Sequence, residues 1–375
     1  MVDIFFPPII FARTRRGYRM FPFSESPDDV IEVLNIVPLQ GPAGIVAPSC
    51  EAAIALAVEE INSGAGILGR EVRVTTLDGG RAPREVASEV SALLSTGMVD
   101  AITGWHISAV RRAVARAADG RVPYLFATTH EDLPNEPPGV LMIGENPAGH
   151  ILPAMEWLER EFGARRWAII GNDYIWPMAT GKAVRMAHQG SITLEKYFPL
   201  GTEDFSEFLG DPRLDRADGI VLLLVGTDAV RFNQQFAHTG RSERQVRVSP
   251  GIDEGVLLAA GPQANDNLYV VSSFFPDNRT GDPDRMARYH RLHGRFAPQL
   301  TYFGNTSYEA MYTLQSLAHN CGSLDVPRMQ AALDDGVVLE TPSGGRAFQG
   351  NHSQEFSALI ARAEGVDLQI VDSVR

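Results

Sequence analysis

The stretch Ile31-Glu-Val-Leu-Asn-Ile-Val-Pro-Leu-Gln-Gly-Pro42 sets the pattern that predicts the fold. Its first seven residues form an apolar, β-branched run that is typical of a buried strand, and this strand ends at Pro38. A turn follows, and then an amphipathic helix with apolar residues at helical spacing: Ile54, Ala57, Val58 and Ile61. A strand that leads through a turn into a helix is the first half of a βαβ unit.

The same alternation occurs on both sides of a proline-rich segment, residues 130–149, which is predicted to be a linker. Before it, strands at 71–77, 99–103 and 122–127 alternate with helices at 84–94 and 108–118. After it, strands and helices alternate again up to residue 271, and three helices and two short strands complete the chain. Strands separated by helices of this length predict parallel sheets, so we expect two α/β lobes, each a mostly parallel sheet flanked by helices.

Composition restricts the kind of partner. The 375 residues carry 33 Lys+Arg against 46 Asp+Glu, a formal net charge of −13, and contain no run of basic residues. This length suggests roughly two domains. The acidic balance argues against direct nucleic-acid binding. The sequence has no run of 18 apolar residues, so we expect no membrane insertion.

The N-terminal residues 1–29 are predicted to be an irregular extension. An apolar run, residues 4–12, stands before Arg13, Arg15, Arg16 and Arg19. A secretory signal has the reverse order, with basic residues first. We therefore expect a cytoplasmic protein, with a periplasmic or lipid-anchored extracellular protein as the alternative if the true start carries a leader.

Enzyme signatures are weak. Gly64-Ala-Gly-Ile-Leu-Gly69 fits the dinucleotide pattern GxGxxG, but a helix precedes it and a strand follows, the inverse of the order that the mechanism requires. The sequence has no GxSxG, HExxH or phosphate-loop motif, and Cys50 and Cys321 lack ligand-like spacing. We expect no enzyme activity, no metal and no cofactor.

The residues that follow the predicted strands indicate a ligand site. In open parallel sheets, ligands bind at the carboxyl ends of the strands, where helix N-termini converge. These ends are rich in hydroxyl and aromatic side chains and contain no Lys or Arg, which favours a small neutral or zwitterionic ligand. The competing interpretation is that some of these residues only cap helices or form turns. The segments are residues 40–42, 104–108, 128–131, 172–176, 226–227 and 251–254.

Three segments resemble the type I periplasmic binding proteins, in the branch for branched-chain amino acids, amides and urea. They are residues 31–42, 59–70 and 171–177, and the resemblance extends over residues 31–375. Within that branch, Asp173-Tyr-Ile-Trp-Pro177 and Gln349-Gly-Asn-His-Ser353 are most similar to AmiC-type amide sensors. The resemblance implies a ligand cleft between a first lobe, residues 30–145 and 276–340, and a second lobe, residues 146–275 and 341–375.

The resemblance also implies the ligand-binding residues. Ser108 and Thr128 stand where amide sensors contact the ligand, and His106, Phe126 and Trp176 stand where those sensors have tyrosines around it. Glu254 stands where amino-acid-binding relatives hold the ligand's ammonium group. The full set of predicted ligand-binding residues is Trp105, His106, Ser108, Phe126, Thr128, Thr129, Tyr174, Trp176, Thr227 and Glu254.

Two functions follow from the resemblance. The first is a non-catalytic sensor that closes around a short aliphatic amide or urea and regulates an amidase or nitrile-degradation operon through an antiterminator partner. The alternative is the substrate-binding protein of an ABC transporter for amides, urea or branched-chain amino acids. A homo-oligomer is compatible with either function. A nucleotide-dependent enzyme would depend on the GxGxxG match alone.

Overall fold

The computed structural model describes residues 29–131, 136–276, 282–353 and 358–374, together with the backbone of two short strands nearer the N-terminus. These two, β1 (Arg13–Thr14) and β2 (Gly17–Tyr18), form an antiparallel pair. Otherwise the predicted irregular extension lies outside the described residues, apart from Asp29.

The first lobe is built on an eight-stranded sheet in the order β13-β14-β15-β7-β6-β5-β3-β4. Strands β3 to β7 and β15 pair in parallel, and β13 and β14 form an antiparallel edge. Every residue of β5, β6 and β7 is buried, which explains why these strands are continuous apolar runs. The strands are β3 (Val30–Val37), β4 (Glu71–Asp78), β5 (Ala101–Gly104), β6 (Tyr124–Phe126), β7 (Val140–Met142), β13 (Val337–Thr341), β14 (Gly344–Gln349) and β15 (His352–Ser353).

The second lobe is built on a seven-stranded sheet in the order β17-β16-β12-β11-β10-β8-β9. Strands β8 to β12 pair in parallel, and β16 and β17 add an antiparallel hairpin at one edge. The central strands β10 to β12 are again wholly buried. The strands are β8 (Arg166–Asn172), β9 (Ser191–Phe198), β10 (Gly219–Leu223), β11 (Val246–Ser249), β12 (Leu268–Ser272), β16 (Ala358–Glu364) and β17 (Asp367–Val374).

Helices flank both sheets. On the first lobe α1 packs against α10 and α2 against α3, and on the second α7 packs against α8. The predicted fold, two lobes of mostly parallel strands flanked by helices, is confirmed. The helices are α1 (Ala47–Ser63), α2 (Pro83–Ser95), α3 (Ser108–Ala118), α4 (Ile151–Phe162), α5 (Ile175–Ala187), α6 (Ser206–Leu209), α7 (Thr227–Ala237), α8 (Glu254–Ala260), α9 (Arg285–His293), α10 (Tyr302–Cys321) and α11 (Val326–Asp334).

The chain passes from one sheet to the other three times, after β7, after β12 and after β15. The buried Glu145 ties the first two crossings together, because its Oε1 accepts a hydrogen bond of 3.0 Å from the Ser273 backbone N–H. The Tyr302 hydroxyl donates to the other carboxylate oxygen. This carboxylate therefore joins both crossings to α10 of the first lobe.

Two sequence expectations differ from the structure. Residues 341–375 were expected to belong wholly to the second lobe, but β14 and β15 lie in the sheet of the first lobe. Their residues are largely exposed or half-buried, so they lack the apolar run that marks a buried strand. The proline-rich segment was expected to be a linker, yet it contains β7, whose three buried residues are too few to stand out between prolines.

Candidate functional site

The carboxyl end of β5 brings the chain against the neighbouring strand. Gly104 has φ of +130°, and a Cβ at this position would lie 2.1 Å from the carbonyl oxygen of Ile36. Only glycine permits this approach. The next four residues, 105–108, then run along the face that looks toward the second lobe, and α3 begins at Ser108.

A small cavity, which we call the cleft cavity, lies between the lobes at the carboxyl ends of their strands. Its volume is about 20 Å³, which is room for about one water molecule, so the lobes are nearly closed upon each other. First-lobe residues form most of the wall, and residues after β8, β10 and β11 form the rest. The lining residues are Trp105, His106, Ile107, Ser108, Phe126, Thr128, Thr129, Tyr174, Trp176, Val225, Gly251 and Phe303.

Eight of the ten predicted ligand-binding residues line the cleft cavity. The two others, Thr227 and Glu254, do not line it. Thr227 is the first residue of α7 and Glu254 the first residue of α8. They follow the loop residues that reach the cavity, Val225 and Gly251, by two and three positions.

His106 is a buried, neutral wall residue. Burial lowers the pKa of its imidazole to about 4. Its Nδ1 lies 2.9 Å from the carbonyl oxygen of Ile36, which can only accept, so Nδ1 carries the proton. Nε2 then accepts from the Tyr124 hydroxyl. Both ring nitrogens are engaged within the first lobe, so His106 offers the ligand a ring surface rather than a proton.

Three hydroxyl groups face the cleft cavity from the first lobe, those of Ser108, Thr128 and Thr129. All three residues are buried, and within the described chain no hydrogen bond engages their side-chain oxygens. Ser108 is not the N-cap of α3; that position belongs to Ile107, which makes no side-chain cap. The first two backbone amides of α3, those of Ser108 and Ala109, have no partner within the helix, whereas those of Val110 and Arg111 donate to the Ile107 carbonyl.

Aromatic rings form the remaining walls. Trp105 meets Phe303 edge to face with ring centroids 5.1 Å apart, and Tyr174 stacks near Trp176 at 6.5 Å. A Cβ at Gly251 would lie 3.3 Å from the Trp176 ring, so this glycine leaves room for the indole. Phe303 comes from α10, far along the chain from the strand ends, and the sequence analysis did not include it. The adjacent aromatic pair at the start of that helix was its only signal.

Charged groups stand behind the wall and not in it. The buried Arg111 lies with its guanidinium 5.2 Å from the ring centroid of Phe126. It pairs with Glu131 at 2.7 Å and with Glu136 at 2.5 Å. Burial raises the pKa of the Tyr174 hydroxyl, with a contribution from the charge of Glu131. The arginine is thus held by two carboxylates and presents no free positive charge to the cavity.

Glu254 is unsuited to holding an ammonium group in this form of the protein. Burial, and then the neighbouring carboxylate of Asp253, raise the pKa of Glu254 to about 8. The carboxyl is therefore largely protonated at neutral pH. Asp253 serves as the N-cap of α8 and accepts a 3.0 Å hydrogen bond from the Val256 N–H, as the capping interpretation predicts.

The lobes also touch beside the cavity. Gly226, before α7 of the second lobe, has φ of +57°, and a Cβ there would lie 2.0 Å from the Pro42 carbonyl oxygen of the first lobe. Glycine at this position allows the two backbones to meet when the lobes close.

In the described ranges, no group of three or more His, Cys, Asp or Glu side chains is arranged to hold a metal ion. None of the helices within those ranges is long and apolar enough to cross a membrane.

The family model described as periplasmic binding protein matches residues 30–365. The chain belongs to the periplasmic binding protein family. No curated protein matches the sequence significantly. The family resemblance proposed from the sequence is therefore confirmed at the level of the family.

Solved structures agree with this periplasmic binding protein fold. The branched-chain amino acid binding protein LivJ from Streptococcus pneumoniae, in complex with isoleucine, has a TM-score of 0.79 and 17% identity, over 91% of this chain and 99% of its own. The leucine binding protein LivK from Thermotoga maritima has a TM-score of 0.78 and 18% sequence identity, over 92% of this chain and 99% of its own. A solute binding protein of an R. palustris ABC transporter, in complex with benzoate, has a TM-score of 0.78 and 16% sequence identity, over 92% of this chain and 96% of its own.

Membership of the periplasmic binding protein family corrects one expectation. The cytoplasmic location predicted from the order of apolar and basic residues near the N-terminus is wrong, because residues 30–365 match a family of periplasmic proteins. A few residues near one end determined that prediction, whereas the family match extends over most of the chain. None of the structures compared above is an amide sensor, so the finer resemblance to AmiC-type sensors stays a prediction.

Proposed function

We propose that this periplasmic binding protein is the solute-binding component of an ABC-type uptake system. Its ligand is a small organic molecule that carries an amide or carboxylate group, and the protein has no catalytic role. The observation that carries the proposal is the cleft cavity, which lies between the lobes and is lined by uncharged side chains with free hydrogen-bond donors.

The lining chemistry supports a ligand that accepts hydrogen bonds. Ser108, Thr128 and Thr129 offer hydroxyl groups, and α3 offers the backbone amides of its first two residues. Such a helix end binds carbonyl or carboxylate oxygens without a counter-charge. An ammonium group would find no carboxylate in the wall, because Glu131 is paired with Arg111 and Glu254 does not line the cavity. These observations favour an amide or monocarboxylate over an amino acid.

The cavity volume implies a hinged binding cycle. About 20 Å³ accommodates about one water molecule and no organic ligand. The lobes must therefore separate to admit a ligand and close again upon it, as two-lobed binding proteins do. A compact ligand disturbs the closed contact between the lobes least.

Both kinds of ligand occur among the solved structures: one holds isoleucine, an amino acid, and one holds benzoate, a monocarboxylate without an ammonium group. The benzoate complex supports the monocarboxylate. The sequence prediction of an amide sensor that acts on an antiterminator is not carried forward, since it requires a cytoplasmic protein. The short amide itself remains a candidate ligand, because the neutral lining suits it.

A thermal-shift panel tests the proposal. Propionamide, urea, propionate, benzoate and isoleucine are each added to the protein, with propylamine as a control that carries no acceptor. At a hundred times Kd a ligand stabilises the folded state by about 2.7 kcal/mol, which gives a clear rise in melting temperature. An amide or carboxylate is expected to give the largest rise. A rise with isoleucine alone would show an amino-acid site, and no rise with any member would reject the proposed ligand class.

Intrinsic fluorescence tests whether binding occurs in the cleft. The chain has four tryptophans, and Trp105 and Trp176 both line the cavity. A ligand that binds there should change their emission because it displaces solvent and changes the contact between the lobes. Trp176→Phe should remove part of this change and weaken binding. A full-amplitude change in that variant with unaltered affinity would place the ligand elsewhere.

A further inference from the structure

The four tryptophans divide into two pairs by the hydrogen bonds of their indole N–H groups. The Trp157 Nε1–H donates to a carboxylate oxygen of Asp372 at 2.7 Å, and the Trp167 Nε1–H donates to the Ala164 carbonyl at 3.1 Å. The Nε1 atoms of Trp105 and Trp176 are buried, and no acceptor for either exists in the described ranges.

The two tryptophans without an acceptor are the two that line the cleft cavity. Trp105 follows β5 of the first lobe and is 4% exposed, and Trp176 is the second residue of α5 in the second lobe and is 3% exposed. A buried donor without an acceptor is unusual in folded proteins, because its hydrogen bond to water is lost and not replaced. The cleft cavity is thus lined by one such donor from each lobe.

We infer that these two indole N–H groups are ligand donors, and that they bind the oxygen of a carbonyl or carboxylate group from opposite sides of the cleft. The inference rests on the proposed function and extends it, because it assigns two residues to the ligand's polar group. A carbonyl oxygen has two lone pairs and a carboxylate has more, so one polar group can accept from both indoles.

Neither indole nitrogen is accessible to water in this closed form. A ligand oxygen supplies the acceptor that both donors lack, whereas an apolar or ammonium group cannot. The pair therefore selects for ligands with an acceptor.

The arrangement also couples recognition to closure. Because Trp105 and Trp176 belong to different lobes, a single ligand group reaches both N–H groups only when the lobes are closed. A ligand without an acceptor leaves both donors unsatisfied in the closed form and gains less from closing.

The test follows the indole N–H signals of protein labelled with ¹⁵N-tryptophan. Four signals are expected, and the Trp105→Phe, Trp157→Phe and Trp176→Phe variants assign them by removing one signal each. Propionamide and propionate serve as probes that share a carbon chain and differ in charge, and propylamine serves as the probe without an acceptor. Saturation with propionamide or propionate should move the proton signals of Trp105 and Trp176 downfield and leave those of Trp157 and Trp167 in place.

Affinity measurements on the same variants complete the test. Trp105→Phe and Trp176→Phe should each weaken binding of the better probe by about tenfold, as expected for one lost hydrogen bond in a buried site. Trp157→Phe is the matched control: it also loses an indole hydrogen bond, but away from the cavity, and should leave affinity unchanged. The probe that gives the larger shift decides between an amide and a carboxylate.

The outcomes separate this inference from the proposed function. If a probe raises the melting temperature but the two indole signals stay in place, the inference fails while the proposed function stands. If, without ligand, the Trp105 and Trp176 protons already resonate with that of Trp157, both have protein acceptors and the inference fails. If no probe changes the melting temperature, the inference and the proposed ligand class fail together.

Discussion

The two lobes contribute unequally to the cleft cavity. The first lobe supplies the continuous segment 105–108, three residues after or within β6, and Phe303 from α10. The second lobe supplies four residues from three separate parts of the chain, after β8, β10 and β11: Tyr174, Trp176, Val225 and Gly251. All three free hydroxyl groups belonging to Ser108, Thr128 and Thr129 come from the first lobe.

This difference assigns distinct tasks to the lobes. The first lobe holds its polar groups on rigid elements, since Gly104 fixes the path of the chain and His106 is bonded at both ring nitrogens. It is therefore prepared to hold the ligand's polar group before closure. The second lobe adds mainly aromatic and backbone surface, so its task is to cover the ligand. The predictions below test this division.

The largest effect is expected when closure is blocked from the second lobe. Gly226→Ala places a Cβ about 2.0 Å from the Pro42 carbonyl oxygen and so keeps the lobes apart. Affinity for the strongest ligand of the thermal-shift panel should fall on the order of a thousandfold, or about 4 kcal/mol by titration calorimetry.

Gly240→Ala is the matched control for this variant. Gly240 also has a positive φ, +68°, in the second lobe, but no atom lies within 4 Å of its added Cβ. It shares the backbone strain without the contact between lobes, so its affinity should be unchanged. Equal affinity losses in the two variants would show that strain, not closure, is responsible.

Opposite pH responses are expected from the two lobes. Glu254 of the second lobe has its pKa raised from 4.5 to about 8, so the folded state binds a proton that the unfolded state has released. The contribution of Glu254 to the free energy of unfolding is complete below the pKa of the unfolded state. It is lost as pH rises through the pKa of the folded state, by about 1.4 kcal/mol per pH unit. In denaturant titrations from pH 5 to 8, Glu254→Gln should gain stability relative to wild type as pH rises. A constant difference across this range would contradict the prediction.

His106 of the first lobe should act on the acid side. Its pKa is lowered from 6.5 to about 4, so the unfolded state binds the proton more readily. The stability that this group contributes is present above pH 6.5 and is lost as pH falls toward 4. His106→Asn should therefore reduce the loss of stability between pH 6.5 and 5, measured by the same titrations. Wild-type acid sensitivity in the variant would assign the effect to other groups.

A smaller effect is expected at the first lobe's own polar wall. Ser108→Ala removes a hydroxyl that has no protein partner, so affinity should fall by about 0.5–1.5 kcal/mol while the melting temperature changes little. Both quantities are measured on one preparation. A lower melting temperature with unchanged affinity would make Ser108 a structural residue of α3.

The smallest effect is expected at Thr227. This residue was predicted to bind ligand, but it does not line the cavity. Thr227→Ala should leave affinity within twofold of wild type in the same calorimetric assay. A tenfold loss would mean that the ligand reaches beyond the cavity along α7.

The strand-end rule explains how much of the site could be predicted from sequence. Parallel strands bring their carboxyl ends to one edge, so the residues after β5, β6 and β8 lie together as predicted. The rule does not decide which of these residues reach the cavity: Thr227 and Glu254 begin α7 and α8 and do not line it, whereas Ser108 begins α3 and does. Phe303 could not be found in this way, since it comes from α10, which no strand end marks.

The buried strands of the fold could be predicted from the sequence, whereas its edge strands could not. Buried parallel strands such as β10 and β12 are continuous apolar runs that stand out in the sequence. The edge strands β13 and β14 have mixed burial and little apolar character, so their place in the first lobe depends on tertiary contacts. Lobe boundaries therefore cannot be read from apolar patterns alone.

Because the chain crosses between the lobes three times, neither sheet is completed by consecutive strands as the chain is synthesised. Strands β3 to β7 emerge first, yet their sheet is completed by β13 to β15, which follow the whole inner sheet of the second lobe. That second sheet in turn waits for β16 and β17, the last strands of all. From the completion of β12 until β15 is made, the chain holds two uncovered strand edges, at β7 and at β12, each able to pair with another chain. Both lobes reach their final form only when translation is nearly finished.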